Sequence, residues 1–208
     1  MYLPALFAET DPAELQRIIR EHPFGMLVTN TAHGLEADHL PFLFQESTGS
    51  CGALIAHVAR ANPVWQSLRD GDAVLVVFRG AQGYISPNWY PSKQENHRHV
   101  PTWNYEAVHA HGRIRIHDDA TYVRGVVARL TREHEAGEPQ PWKMGDAPAD
   151  YLAEQLAQIV GIEIELTRLQ GKRKLGQNRE QRDFDGAVQA LEARGNTALA
   201  AAMKRSRT

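Results

Sequence analysis

Val108-His109-Ala110-His111-Gly112-Arg113-Ile114-Arg115-Ile116-His117 alternates without a break, with Val108, Ala110, Gly112, Ile114 and Ile116 on one side and His109, His111, Arg113, Arg115 and His117 on the other. A period of two marks a strand whose successive side chains point to opposite faces. One face is apolar and belongs against a core, while the other is cationic. On the C-terminal side, Asp118 or Asp119 caps a helix to about His134, and Pro148 to about Val160 reads as a second helix. Ile162, Ile164 and Leu166 then alternate with Glu163, Glu165 and Thr167 in a last strand, whose glutamates are suited to pair with the cationic face. A basic loop and two helices end the chain.

On the N-terminal side, residues 87–101 hold three prolines and no periodicity, so they read as a long loop. The unbroken run Ala73 to Phe78 predicts a strand buried on both faces, continued by Tyr84-Ile85-Ser86. Phe24 to Asn30 and the apolar run through Phe44 form a hairpin across Thr31-Ala32-His33-Gly34, and Cys51 to His57 makes a further strand. Asp11-Pro12 opens a helix carrying Leu15, Ile18 and Ile19, and Asn62-Pro63 opens another that runs to Asp70-Gly71. Short strands with helices inserted between them, rather than strictly alternating, predict a mixed α+β barrel and not a doubly wound parallel sheet.

The chain has 208 residues, with 42% hydrophobic and 23% charged, which is ordinary globular usage. A single cysteine, Cys51, leaves no intrachain disulfide and fits a reducing, cytoplasmic setting. No run approaches the roughly 18 apolar residues of a membrane span. A formal charge of −2 gives no global field for nucleic acid, so DNA binding is not predicted by composition.

His57-Val58-Ala59-Arg60-Ala61-Asn62-Pro63-Val64-Trp65 joins a strand end to a helix start and supplies an arginine, a combination that suits a phosphate. An exposed arginine beside an ordinary capped helix explains the same residues, and local features do not choose. Tyr84 to Pro91 and Val100 to Tyr105 bracket the long loop with aromatic rings that suit either a planar heterocycle or a core and dimer interface. His97, His99, His109 and His111 are spaced to point in pairs, but no carboxylate or cysteine completes a metal site at familiar spacing, so no metal is expected. Gly-x-Ser-x-Gly and Gly-x-Gly-x-x-Gly are both absent. Lys172-Arg173-Lys174 through Arg179 concentrates four cations, readable as a solvated turn, an anion contact or a nucleic-acid patch.

His39-Leu40-Pro41-Phe42, His57 to Pro63, Tyr84 to Tyr90, Val100 to Tyr105 and Lys174-Leu175-Gly176-Gln177-Asn178-Arg179, in this order, resemble the PaiB family, FMN-binding negative transcriptional regulators with the flavin-binding split barrel. That barrel is similar to the pyridoxamine-phosphate oxidases. Residue 176 is glycine where the family pattern has serine. The resemblance implies a split-barrel domain over residues 1–170, with the basic loop and C-terminal helices of 171–208 packed on it. It implies FMN at a homodimer interface, with Asp38, His39 and Leu40 along the ring and His57, Val58, Ala59, Arg60 and Asn62 at the phosphate. Trp103, Lys174, Gln177 and Asn178 would close the site. The family's regulatory label implies DNA as a partner. A flavin-dependent oxidoreductase is the competing reading, with His97, His99 or His109 moving protons, and a haem binder on the same barrel ranks third.

Overall fold

A computed structural model describes residues 1–46 and 51–207. In chain order the elements are β1 (Ala8–Glu9), α1 (Pro12–Glu21), β2 (Phe24–Thr31), β3 (Gly34–Pro41), β4 (Leu43–Gln45), β5 (Ala53–Ala59), α2 (Val64–Ser67), β6 (Ala73–Ile85), α3 (Lys93–Asn96), β7 (Thr102–His117), α4 (Ala120–Glu135), α5 (Ala149–Ala157), β8 (Ile159–Lys174), α6 (Gln181–Ala193) and α7 (Thr197–Arg205). The strands hydrogen-bond in the order β3-β2-β6-β7-β8-β5-β4, with β1 beside β8, and the pairs β1/β8, β2/β3, β2/β6, β4/β5 and β5/β8 are antiparallel. The chain forms two compact units. One comprises Met1–His22, Arg79–His109 and Gln170–Thr208, and the other Pro23–Phe78 and Ala110–Leu169. The C-terminal residues thus share a unit with the N-terminal helix.

In the unit of residues 23–78 and 110–169, Leu27, Phe42, Val76 and Phe78 are buried, and Phe42 meets Phe78 edge-on with ring centroids 5.8 Å apart. Gly25 lies under this pair, and a Cβ there would fall 2.8 Å from both Phe78 and Val76, so the ring packing itself requires glycine. Helix α4 follows Asp119, whose Oδ1 accepts from the Tyr122 N–H at 2.7 Å, and lays Val126 and Leu130 on Ile55 of β5. Within the single chain one face of Ala73 to Phe78 is covered, with Val74, Val76 and Phe78 buried, while Leu75 and Val77 are half-buried and Ala73 is exposed, so coverage of the second face by a partner subunit is not tested by the chain alone. Apolar residues on the outer face of a sheet are common, and an unbroken apolar run does not by itself say which face is covered.

In the unit of residues 1–22, 79–109 and 170–208, α1 begins as its sequence dictates, with Asp11 Oδ1 accepting from the Ala13 N–H at 2.9 Å and Pro12 in the first turn. Leu15, Ile18 and Ile19 point inward. Helices α6 and α7 bury Phe184, Val188, Leu191, Leu199 and Met203 against Ile85, Tyr90 and Leu175. The long loop is not wholly irregular. Pro87–Trp89 forms a single tight turn capped by Ser86, and α3 adds one more.

Candidate functional site

Strand β5 ends at Ala59, and the turn after it is pinned by Asn62. Its side-chain oxygen accepts from the Val64 N–H at 2.9 Å, while its Nδ2 donates to Asp38 Oδ1 of β3 at 2.7 Å. Two stretches 24 residues apart are thereby tied into one surface. His39 is exposed beside Phe24, Leu40 is half-buried and Val58 is buried. His57 lies beneath α4 in a cleft of about 290 Å³ that also touches Leu130, His134 and Trp142. Its Nδ1 is buried with no hydrogen-bond partner among the described residues, and burial holds the imidazole below its ordinary pKa, hence neutral.

Arg60 is already engaged. Its guanidinium grips Asp118 with two hydrogen bonds (Nη1 to Oδ2 3.1 Å, Nη2 to Oδ1 2.5 Å), and its Nε donates to the Ala157 carbonyl at 2.7 Å. It also lies 5.8 Å from the Trp65 ring, whose N–H returns a bond to the Arg60 carbonyl at 2.9 Å. The hydrogen bond and charge of Asp118 hold the arginine further above its ordinary pKa. Asp118, read from sequence only as one of two helix-cap candidates, is Arg60's partner, and Asp119 does the capping.

The remaining candidates share the other unit. Trp103 is 50% exposed, lies 6.5 Å from Tyr84, and borders a cleft of about 280 Å³ with Arg79, Gln82 and Tyr105. Lys174 donates to the Thr102 hydroxyl and, at 2.9 Å, to the Trp103 carbonyl. Partial burial, together with the charges of Lys172 and Arg179, holds its ammonium below the usual lysine pKa. Gln177 braces its own loop, accepting from the Leu175 N–H and donating to the Arg173 carbonyl, and Asn178 is exposed.

The reading of Lys172 and Arg173 as a solvated or DNA-facing patch is corrected by their burial, at 8% and 7% exposure. Strand β8 runs on through Lys174, and Arg173 is drawn inward by Glu9, Glu14 and Glu106 at 3.0–3.1 Å. The expected pairing of the last strand with the cationic face is present, as Arg115–Glu165 at 3.4 Å and His117–Glu163 at 3.2 Å.

One constellation was missed by sequence reasoning. Ser92, a buried residue, donates to Asp183 Oδ2 at 2.6 Å and lies 2.7 Å from His99 Nε2, while His99 Nδ1 is 3.4 Å from an Arg179 nitrogen. Arginine can only donate, so Nδ1 accepts, Nε2–H donates to the Ser92 oxygen, and the Ser92 hydroxyl donates a hydrogen bond to Asp183. With His99 Nε2 donating to the serine oxygen, no imidazole nitrogen is placed to take the Ser92 proton and activate it as a nucleophile, and the arrangement instead fastens the long loop to α6. Among the described residues no group of three or more His, Cys, Asp or Glu side chains is gathered to hold a metal.

Residues 1–168 match the family model described as "Putative FMN-binding domain". The chain is 31% identical to Protease synthase and sporulation protein PAI 2 of Bacillus subtilis, over 94% of this chain and 91% of that protein. It is 34% identical to an uncharacterized protein of Emericella nidulans, over 95% and 93% of the two chains. Its fold is similar to that of the flavocytochrome Anf3 of Azotobacter vinelandii, with TM-score 0.61 and 12% identity, covering 86% of this chain and 75% of the other. The antiparallel α+β fold is the flavin-binding split barrel expected from sequence.

Proposed function

This chain belongs to the PaiB family of FMN-binding proteins, and from that premise we propose that it is a homodimeric, cytoplasmic negative regulator of transcription whose cofactor is FMN, with a candidate set of flavin-holding side chains in each unit. The first set is Asp38, His39 and Leu40 with His57, Val58, Ala59 and Asn62, fastened by Arg60. The second is Trp103 with Lys174, Gln177 and Asn178. The residues fit a phosphorylated flavin. Among the described residues, His57 offers a buried ring nitrogen with no partner, and Lys174 is a partly buried cation held only by neutral oxygens. Bound FMN supplies one- and two-electron redox chemistry at its ring. The protein's part is to position it, and the neutral His57 can take part in a hydrogen bond to the flavin through its Nδ1 without adding charge.

The regulatory reading is what the resemblance to the PaiB family implies, and the 31% identity to PAI 2 over 94% of this chain supports membership of that family. A local feature is compatible with it: α6 and α7 are joined by the three-residue turn Arg194-Gly195-Asn196, with Gly195 at φ +77°, a connection of the length and glycine content that helix-turn-helix motifs use. Thr197, Ala198 and Ala201 leave the outer side of α7 low and accessible. Anisotropy titration of the flavin-loaded dimer with promoter fragments, at several salt concentrations, tests this. Binding lost in a variant carrying Thr197→Glu and Ala201→Glu supports the reading, and no sequence preference at any salt concentration refutes it. The Trp103 cleft favours a second reading, a flavin-dependent oxidoreductase, for which NADH or NADPH would bleach the bound flavin.

A further inference from the structure

Four cations gather around the loop of residues 174–179, and each is held by neutral groups alone. Lys172 donates to the Tyr2 carbonyl at 3.1 Å and lies over the Tyr2 and Tyr105 rings. Lys174 donates to Thr102 and the Trp103 carbonyl. Arg179 lies over the Tyr90 ring at 4.9 Å and donates to His99. Arg207 donates to the Gly176 and Arg179 carbonyls and to Gln181, with its guanidinium 4.0 Å from the Phe184 ring. Among the described residues none of the four forms an ion pair, whereas their neighbours Arg173 and Arg182 do. Within the loop, Gly176 has φ +85°, and the backbone N–H groups of Gly176, Gln177 and Asn178 donate no hydrogen bond among the described residues. Successive unpaired N–H groups at a left-handed glycine form a concavity suited to an anion. Crowded, half-buried cations without carboxylates are costly until an anion arrives.

We propose that this loop, with Lys172, Lys174, Arg179 and Arg207, is a phosphomonoester site, and that in the flavin-loaded protein it takes the phosphate of FMN. The second half of this statement rests on the FMN reading above. It moves the phosphate away from Arg60, whose charge Asp118 already neutralises.

The test titrates the full chain with FMN, riboflavin and inorganic phosphate, in the wild type, Lys174→Met and Lys174→Arg. FMN should bind more tightly than riboflavin. Lys174→Met should weaken FMN by about tenfold or more, as for loss of one charge-assisted hydrogen bond, leave riboflavin unchanged and abolish competition by phosphate, and Lys174→Arg should restore most of the loss. Equal losses for both flavins, or no loss, overturn the proposal. If neither flavin binds the wild type, the FMN reading falls by itself. Phosphate binding that Lys174→Met removes then assigns the site to a free phosphomonoester, and absent phosphate binding overturns the site too. Circular dichroism of each variant separates lost binding from lost fold.

Discussion

In Arg173→Ala the guanidinium that donates to Glu9, Glu14 and Glu106 disappears, while the carboxylates remain. Glu106 decides the magnitude: its side chain is fully buried, and its Oε1 accepts from Arg173 at 3.0 Å and Arg17 at 2.9 Å. Removing one member of such a cluster strands charge in a poorly solvated place, at a cost of about 3–5 kcal/mol. For a chain of this length each kcal/mol moves the midpoint by roughly 2–4 °C, so a drop of about 6–20 °C is expected. Thermal and urea unfolding followed by circular dichroism measure it. Pairing Arg173→Met with Glu106→Leu should recover much of the loss, because the desolvated pair goes as a unit. A loss below about 1 kcal/mol, the range of an exposed pair, would refute the reasoning and return Arg173 to the surface.

Stability should fall with pH through His57. Its folded pKa is depressed by burial, so the unfolded chain takes up a proton first as pH drops below about 6.5, and the stability present above that value is progressively lost. His57→Gln should flatten that slope in urea titrations run across the range. Gly176→Ala should cost about 1 kcal/mol or more in urea unfolding, because φ is +85° and no neighbour lies closer than 3.6 Å to the added Cβ, which makes the penalty one of backbone conformation. Light scattering at micromolar concentration should give twice 23.3 kDa, and a flavin-loaded monomer would contradict the proposed assembly.

Local signals were legible where short-range physics decides. The alternation of residues 108–117 became the second half of β7, and Asp11-Pro12 and Asp119 started α1 and α4 as capping chemistry requires. What escaped the sequence lies in partners far along the chain. Lys172 and Arg173 read as solvated because the acids that bury Arg173 are Glu9, Glu14 and Glu106. Arg60 read as free because Asp118 is 58 residues away, and Ser92 looked like loop because Asp183 is 91 away. The expected β8 start was obscured by an overlong helix, since Ala149–Ala157 ends two residues before Ile159 begins the strand. His57 to Pro63 joins the end of β5 to the start of α2 as its sequence indicates, but the link to Asp38 through Asn62 is a tertiary contact that no local pattern encodes.

The most direct test of the account is the absorbance spectrum of the purified full chain, followed by titration of the flavin-free protein with FMN. A yellow protein that rebinds FMN at one per chain and prefers it to riboflavin is the expected result. A colourless preparation that neither retains nor rebinds FMN would contradict it.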